Sequence, residues 1–255
     1  MEFPATELAP RAASAAATGA ALGEPALAPG SDLSRQSLRL LAALRRHHAA
    51  SADHSIRVAT VLLAMASNPA AQLGAPALVV AAGLMHDLGK LFLPVSLLDA
   101  ARSLTPAETT AMRAHPVTGA ETLTALRFPE PVVAAARDHH ERWLGGGYPL
   151  GCRGITLSPL SRAVCVADAF VAMIEPGRTY RPRLTVAQAL AEVEACSGTQ
   201  FDPGFAAVLV QGLGPAFQQE LGLDAAPGRW QPRERDGLLL SHRLEHALGL
   251  PPCPW

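Results

Sequence analysis

The chain has 255 residues, 49% apolar and 17% charged, with a formal net charge of −1. It is long enough to bury a core of its own, and it offers no polybasic face for a nucleic-acid polymer or a membrane surface. Aromatic residues at 5% leave little material for a base-stacking platform. The four cysteines (Cys152, Cys165, Cys196, Cys253) lack C-x-x-C spacing and read as small buried residues of a reducing compartment. The longest apolar runs, Val58–Ala66 and Ala77–Met85, fall far short of the roughly 20 residues of a membrane span. The first 30 residues lack the basic start and apolar stretch of a secretory signal, so a soluble cytoplasmic protein is expected.

In chain order, residues 1–30 are rich in Ala, Pro and Gly and read as a disordered leader, with a transient helix around Arg11–Ala17. Leu33, Leu40, Leu41 and Leu44 then open an amphipathic helix. Helix starts recur with one chemistry. Thr105-Pro106-Ala107-Glu108 forms a capping box with Pro at the first helical position, and Thr185 with Gln188 forms another. Glu130-Pro131, Ser158-Pro159 and Asp202-Pro203 place Pro after a polar residue, as helix N-termini do. Val186, Leu190 and Val193 follow helical spacing, and no segment shows sustained strand alternation. Residues 32–220 therefore read as one all-α domain of seven or more helices. Residues 221–255 read as a linker, centred on 225–235, then a short amphipathic helix Leu238–Leu248 and an irregular tail.

The histidines carry the chemistry. His54, the pair His86-Asp87, His115, the pair His139-His140 and Asp168 form an ordered set of the ligand types that borderline divalent metals take. His86-Asp87 ends the apolar helix Pro76–Leu88, His115 precedes Pro116, and His139-His140 ends the helix begun at Pro131. Asp168 follows Val164, Cys165 and Val166 inside an apolar helix. Taken singly, each has an ordinary reading: a hydrogen-bonded core histidine, a polar core aspartate, a solvated helix end. Together, so many buried imidazoles and carboxylates need compensation, which a metal provides. Lys90, one turn past Asp87, reads either as a solvated lysine or as a phosphate-binding or proton-donating group. Gly145–Pro149 is either a simple turn or a lip over a substrate. His47 and His48, beside Arg45 and Arg46, read as solvated, and the pair His242 and His246 as an adventitious metal site at most.

These segments carry a resemblance. His86-Asp87-Leu88-Gly89-Lys90 resembles the H-D-x-G-K motif of the HD phosphohydrolase superfamily. His139-His140-Glu141 through Gly147-Tyr148-Pro149 resembles the H-H-E-x-x-D-G-x-G-Y-P motif of its HD-GYP branch. Asp53-His54-Ser55-Ile56-Arg57-Val58-Ala59, His115-Pro116-Val117-Thr118-Gly119, Val166-Ala167-Asp168-Ala169-Phe170, Arg178-Thr179-Tyr180-Arg181 and Gly198-Thr199-Gln200-Phe201-Asp202-Pro203 are similar to further motifs of that branch, in order, across about residues 50–215.

The resemblance implies an HD-domain helical bundle extended by GYP-type C-terminal helices. It implies hydrolysis of cyclic di-GMP to pGpG, with slower passage to GMP, by a hydroxide activated between two divalent ions, iron or manganese, about 3.5–4 Å apart. Asp87 then bridges the ions, His54, His86 and Asp168 complete one site, and His115, His139 and His140 complete the other. Lys90 and Asp87 are the implied catalytic residues. Gly147, Tyr148, Pro149, Arg178 and Arg181 are the implied substrate contacts, the arginines suited to a dianionic ligand. Cyclic di-GMP is the implied substrate, with GGDEF-type or other signalling proteins as partners; the oligomeric state stays open.

Some positions depart from the pattern. Leu144 stands where the family has Asp or Asn, Thr179 where it has Pro, and Val171 where Asp is frequent. Ala50, four before His54, stands where trinuclear members carry Glu, which favours two ions over three. A non-catalytic cyclic di-GMP sensor or protein-interaction module, and a hydrolase of another nucleotide, remain alternatives.

Overall fold

A computed structural model describes residues 29–175, 183–213, 233–235, 238–240 and 242–249. Among the described residues ten α-helices run in order through the body: α1 (Pro29–His47), α2 (Ala49–Ala66), α3 (Pro76–Met85), α4 (Val95–Leu98), α5 (Pro106–Arg113), α6 (His115–Ala125), α7 (Glu130–Asp138), α8 (Pro159–Ile174), α9 (Val186–Ala195) and α10 (Pro203–Gly212). The expected helical fold is what forms, and its helix starts follow the capping chemistry. Thr105 and Thr185 each close a capping box with Glu108 and Gln188. Ser158 and Asp202 accept from backbone N–H groups at the starts of α8 and α10. These groups satisfy donors that a helix leaves unpaired in its first turn.

Helices α2, α3 and α7 form a spine with a core on each side. On one side Val58, Val61, Leu62 and Met65 of α2 meet Val164, Phe170 and Val171 of α8, Val193 of α9 and Leu209 of α10. On the other, Ile56 and Ala59 of α2 and Leu84 and Met85 of α3 meet Leu41 and Leu44 of α1, Leu123 of α6 and Val132 of α7. Residues 79–85 of α3 are buried on every side, as expected of a helix that is apolar all round. Gly83 lets α3 lie against α2: a Cβ there would stand 2.5 Å from the Ala59 Cα.

Three readings of the sequence are corrected. The helix from Pro76 ends at Met85, and residues 88–92 form a 3₁₀ turn; Gly89 packs on the α5–α6 junction there, where a Cβ would stand 1.9 Å from the His115 carbonyl oxygen. Instead of one helix over Leu238–Leu248, strand β2 (Leu238–Leu240) pairs antiparallel with β1 (Arg233–Arg235), and α11 starts only at His242, running to Ala247. Leu244 and Leu248 bury themselves in the core beside α1, α2 and α3, so this segment docks on the body. His47 and His48 are half-buried and bonded to the chain instead of free in solvent: His47 Nε2 donates to the Leu93 carbonyl at 2.9 Å, and His48 Nδ1 caps α2 by accepting from Ser51 N. The segment Arg11–Ala17, the site residues Arg178 and Arg181, Cys253, and the side chain of His242 lie outside the described residues.

On a solvated helix face, Gly83→Ala would gain roughly 1 kcal/mol of helix propensity. Against the Ala59 backbone, overpacking costs about 1–3 kcal/mol and reverses the sign. Urea unfolding should show a lower midpoint with an unchanged slope; a midpoint at or above wild type would mean that α2 and α3 can separate freely.

Candidate metal centre

Three of the site histidines share one local rule. His86 follows the last turn of α3, His115 stands at the α5–α6 junction and His139 follows α7. A helix end leaves carbonyls without partners, and each imidazole takes one three residues back. His86 Nδ1 donates to Gly83 O at 2.8 Å, His115 Nδ1 to Met112 O at 2.6 Å and His139 Nδ1 to Ala136 O at 2.8 Å. Because a carbonyl only accepts, Nδ1 carries the proton, and in the neutral ring Nε2 keeps its lone pair.

Those lone pairs converge. His115 Nε2 lies 3.2 Å from His139 Nε2, and His86 Nε2 is buried without a hydrogen-bond partner. Asp87 sits among them, 2% exposed, and divides its oxygens. Oδ1 faces His115 Nε2 at 3.2 Å and His139 Nε2 at 3.8 Å; Oδ2 faces His86 Nε2 at 3.4 Å and His54 Nε2 at 3.9 Å. Asp168, from the middle of α8, approaches His54 Nε2 at 2.8 Å and His86 Nε2 at 3.8 Å. Ligand atoms of His115, His139 and His140 lie within 4.8 Å of one another; so do those of His54, His86 and Asp87, and those of His86, His139 and Asp168.

Electrostatics keep most of these groups ready for a cation. Burial, reinforced by neighbouring histidines, pushes His139 well below its usual pKa; burial brings His140 down to about 4. Burial alone would raise the Asp87 carboxyl, but Lys90, His86 and His115 outweigh it and hold it well below the usual carboxylate range. Asp168 is likewise lowered, its burial outweighed by His54, His86 and His140. Neutral imidazoles and ionised carboxylates are the forms that ligate metal. His54 differs: its hydrogen bonds to Asp168 and Glu175 outweigh burial and raise it to about 9.

These residues fit a divalent metal centre. Facing Nε2 lone pairs, and a buried Nε2 with no hydrogen to receive, carry a desolvation cost that a cation removes, and nitrogen with carboxylate oxygen suits iron, manganese or zinc. Ala50 is exposed at the start of α2 and supplies no oxygen.

The loop after His140 walls the site. Tyr148 stacks on His140, ring centroids 4.6 Å apart, and the Arg113 guanidinium carbon lies 5.1 Å from the centre of the Tyr148 ring. Burial, with Asp168 and Asp87 nearby, raises the Tyr148 phenol pKa, so it keeps its proton. Gly147 passes so close to the chain that a Cβ would stand 2.5 Å from His140 O. Pro149 follows through a cis peptide bond. Leu144 is 57% exposed, and its backbone N–H, not its side chain, ties the loop by donating to Thr199 O. Lys90 Nζ reaches Asp87 Oδ2 at 2.5 Å.

A family model described as HD domain matches residues 36–205, which spans every residue of this cluster. The chain belongs to the HD domain family. Among curated relatives, the chain is 38% identical over 130 residues to the cyclic di-GMP phosphodiesterase response regulator RpfG of Xanthomonas campestris, covering 50% of this chain and 34% of that protein. It is 34% identical over 166 residues to the cyclic di-GMP phosphodiesterase PA4108 of Pseudomonas aeruginosa (63% and 39%). It is 35% identical over 132 residues to the 3′3′-cGAMP-specific phosphodiesterase 3 of Vibrio cholerae (52% and 28%). The matched segments thus cover well under half of these relatives' lengths. A crystal structure of a cyclic GMP-AMP-specific phosphodiesterase of V. cholerae shares the fold at a TM-score of 0.57 and 19% identity, over 86% of this chain and 54% of that one.

Two residues of the HD site were not singled out as functional from sequence. Glu175 receives His54 Nδ1 at 2.9 Å. Glu141, 1% exposed, accepts from Leu150 N at 2.6 Å and Gly151 N at 2.9 Å, pinning the loop that carries Tyr148. The H-H-E spelling shows Glu141 but not its target; nothing in the sequence ties Glu175 to residue 54.

Glu141→Ala should free that loop. A hydrogen bond to a charged group is worth roughly 1.5–3 kcal/mol, so the Leu150 and Gly151 amides should exchange with solvent about tenfold faster or more. Hydrogen exchange followed residue by residue checks this; unchanged rates would mean that another contact holds the loop.

Proposed function

We propose that the chain is a metal-dependent phosphodiesterase that opens cyclic di-GMP to pGpG, using two divalent ions, iron or manganese, that share Asp87. The observation carrying this reading is the division of the Asp87 carboxylate between two sets of nitrogen lone pairs. His54, His86 and Asp168 would hold one ion, and His115, His139 and His140 the other. When bound, paired ions supply Lewis acidity toward phosphodiester oxygens and acidify the attacking water.

The remaining roles fall to side chains. Lys90 offsets the Asp87 charge and brings a proton on Nζ to the site, for the leaving oxygen or a phosphate oxygen. Tyr148 keeps its phenol proton and can donate it in a hydrogen bond to a substrate oxygen. Its ring already stacks on His140, so it serves a ligand through the hydroxyl and exposed edge more than through that face. Gly147 and Pro149 shape the rim. Arg178 and Arg181 are assigned to the phosphates on charge alone. The curated relatives include enzymes named for cyclic di-GMP and others named for 3′3′-cGAMP, which favours 3′3′-cGAMP as a second candidate of the same chemical class.

Asp87→Ala should lose both ions and all turnover while the helices persist. The checks are elemental analysis, circular dichroism, and chromatography of reactions offered cyclic di-GMP and 3′3′-cGAMP side by side. Full activity in that variant would sink the shared-carboxylate reading; turnover confined to 3′3′-cGAMP would move the substrate assignment.

Arg178→Ala and Arg181→Ala should keep the metal content and raise KM, each losing a charge-assisted contact worth roughly 1.5–3 kcal/mol. Steady-state kinetics and metal content on the same preparations test this; wild-type KM and kcat in both variants would make them surface charges.

A further inference from the structure

His54 breaks the local rule that fixes His86, His115 and His139. It lies inside α2, where the carbonyls are already taken by the helix, so its Nδ1 has no free i−3 oxygen to meet. Glu175, the residue that ends α8, supplies the acceptor instead: its Oε2 lies 2.9 Å from His54 Nδ1. Its other oxygen accepts from Arg57 Nη1 at 2.6 Å. Arg57 stands three residues after His54 on the same helix, so one carboxylate is gripped by two side chains of α2. Glu175 is 14% exposed and His54 8%, so the contact is shielded from competing water.

We infer that Glu175 is a positioning residue for the metal centre: it holds His54 with the proton on Nδ1 and Nε2 turned to Asp168 and Asp87, and Arg57 holds Glu175. A carboxylate behind a ligand imidazole fixes the ring and makes it a better donor, and removing such a partner typically costs about 10–100-fold in metal affinity. This rests on the metal reading of the site, while the assignment of Glu175 to His54 rests on contacts within the chain.

The test uses the full chain with Zn²⁺, which is diamagnetic. Zinc affinity is measured by chelator competition, and imidazole nitrogen resonances by NMR. Wild type should show His54 protonated at Nδ1 with a strongly downfield N–H. Glu175→Ala should weaken zinc binding about 10–100-fold and lose that resonance. His86, His115 and His139, held by their own carbonyls, should keep theirs; a general loosening would move all four. Glu175→Gln, whose amide oxygen still accepts but carries no charge, should fall between, with the His54 N–H shifted upfield. If Glu175→Ala does not fold, the glutamine variant decides alone. Wild-type affinity and an unmoved His54 resonance in the variant tested would leave Glu175 as a partner of Arg57 only and overturn the inference. A wild-type chain that takes up no zinc at His54 would overturn the inference and the metal reading together.

Discussion

A histidine just past a helix end meets a carbonyl that lacks its i+4 helical donor, and the imidazole N–H bonds to it. In this chain the exchange happens three times, at Gly83, Met112 and Ala136. Each settles which ring nitrogen holds the proton, so the metal-facing lone pair follows from secondary structure. The close packing of Gly83 on Ala59 and of Gly89 on the His115 carbonyl then brings the helix ends together. Remove those contacts and the nitrogens still have their tautomers but no common target.

What ordinarily stabilises a core is here turned toward chemistry. Lone pairs 3.2 Å apart and a carboxylate at 2% exposure are unfavourable neighbours unless charge of the right sign is shared among them. Lys90 supplies part of that charge in the protein itself. The apolar surfaces of α2, α3, α7 and α8 hold the cluster in place. The loop pinned by Glu141 covers it, with Tyr148 against His140.

Much of this was legible in the sequence, for reasons that can be named. Helix starts were readable because a cap is a local event: Thr105 and Glu108 find each other across three residues. The gathering of these histidines and aspartates was readable because His and Asp inside apolar helices are costly and therefore conspicuous, and because their order resembled a known motif series. Partners chosen by folding were not. The carboxylate behind His54 comes from Glu175, and the acceptors tying Trp143 and Leu144 come from Gln200 and Thr199. Residues 238–240 carry three leucines in a row, which spacing alone cannot divide between strand and helix. His47 and His48 looked like a polar helix end because their acceptor and donor, Leu93 O and Ser51 N, leave no mark on composition.

The two kinds of histidine anchor differ in what they require of the rest of the chain. The carbonyl anchors close over three residues and need only their own helix end in place. The His54 anchor spans 121 residues, and by the logarithmic growth of loop-closure entropy it costs about 3 kcal/mol more to bring together. One wall of the site therefore rests on contacts local in sequence, while the His54 wall requires α8 docked with residue 175 in place. The complete cluster is thus a property of the whole fold, present only when the two halves of the core are closed on the spine between them.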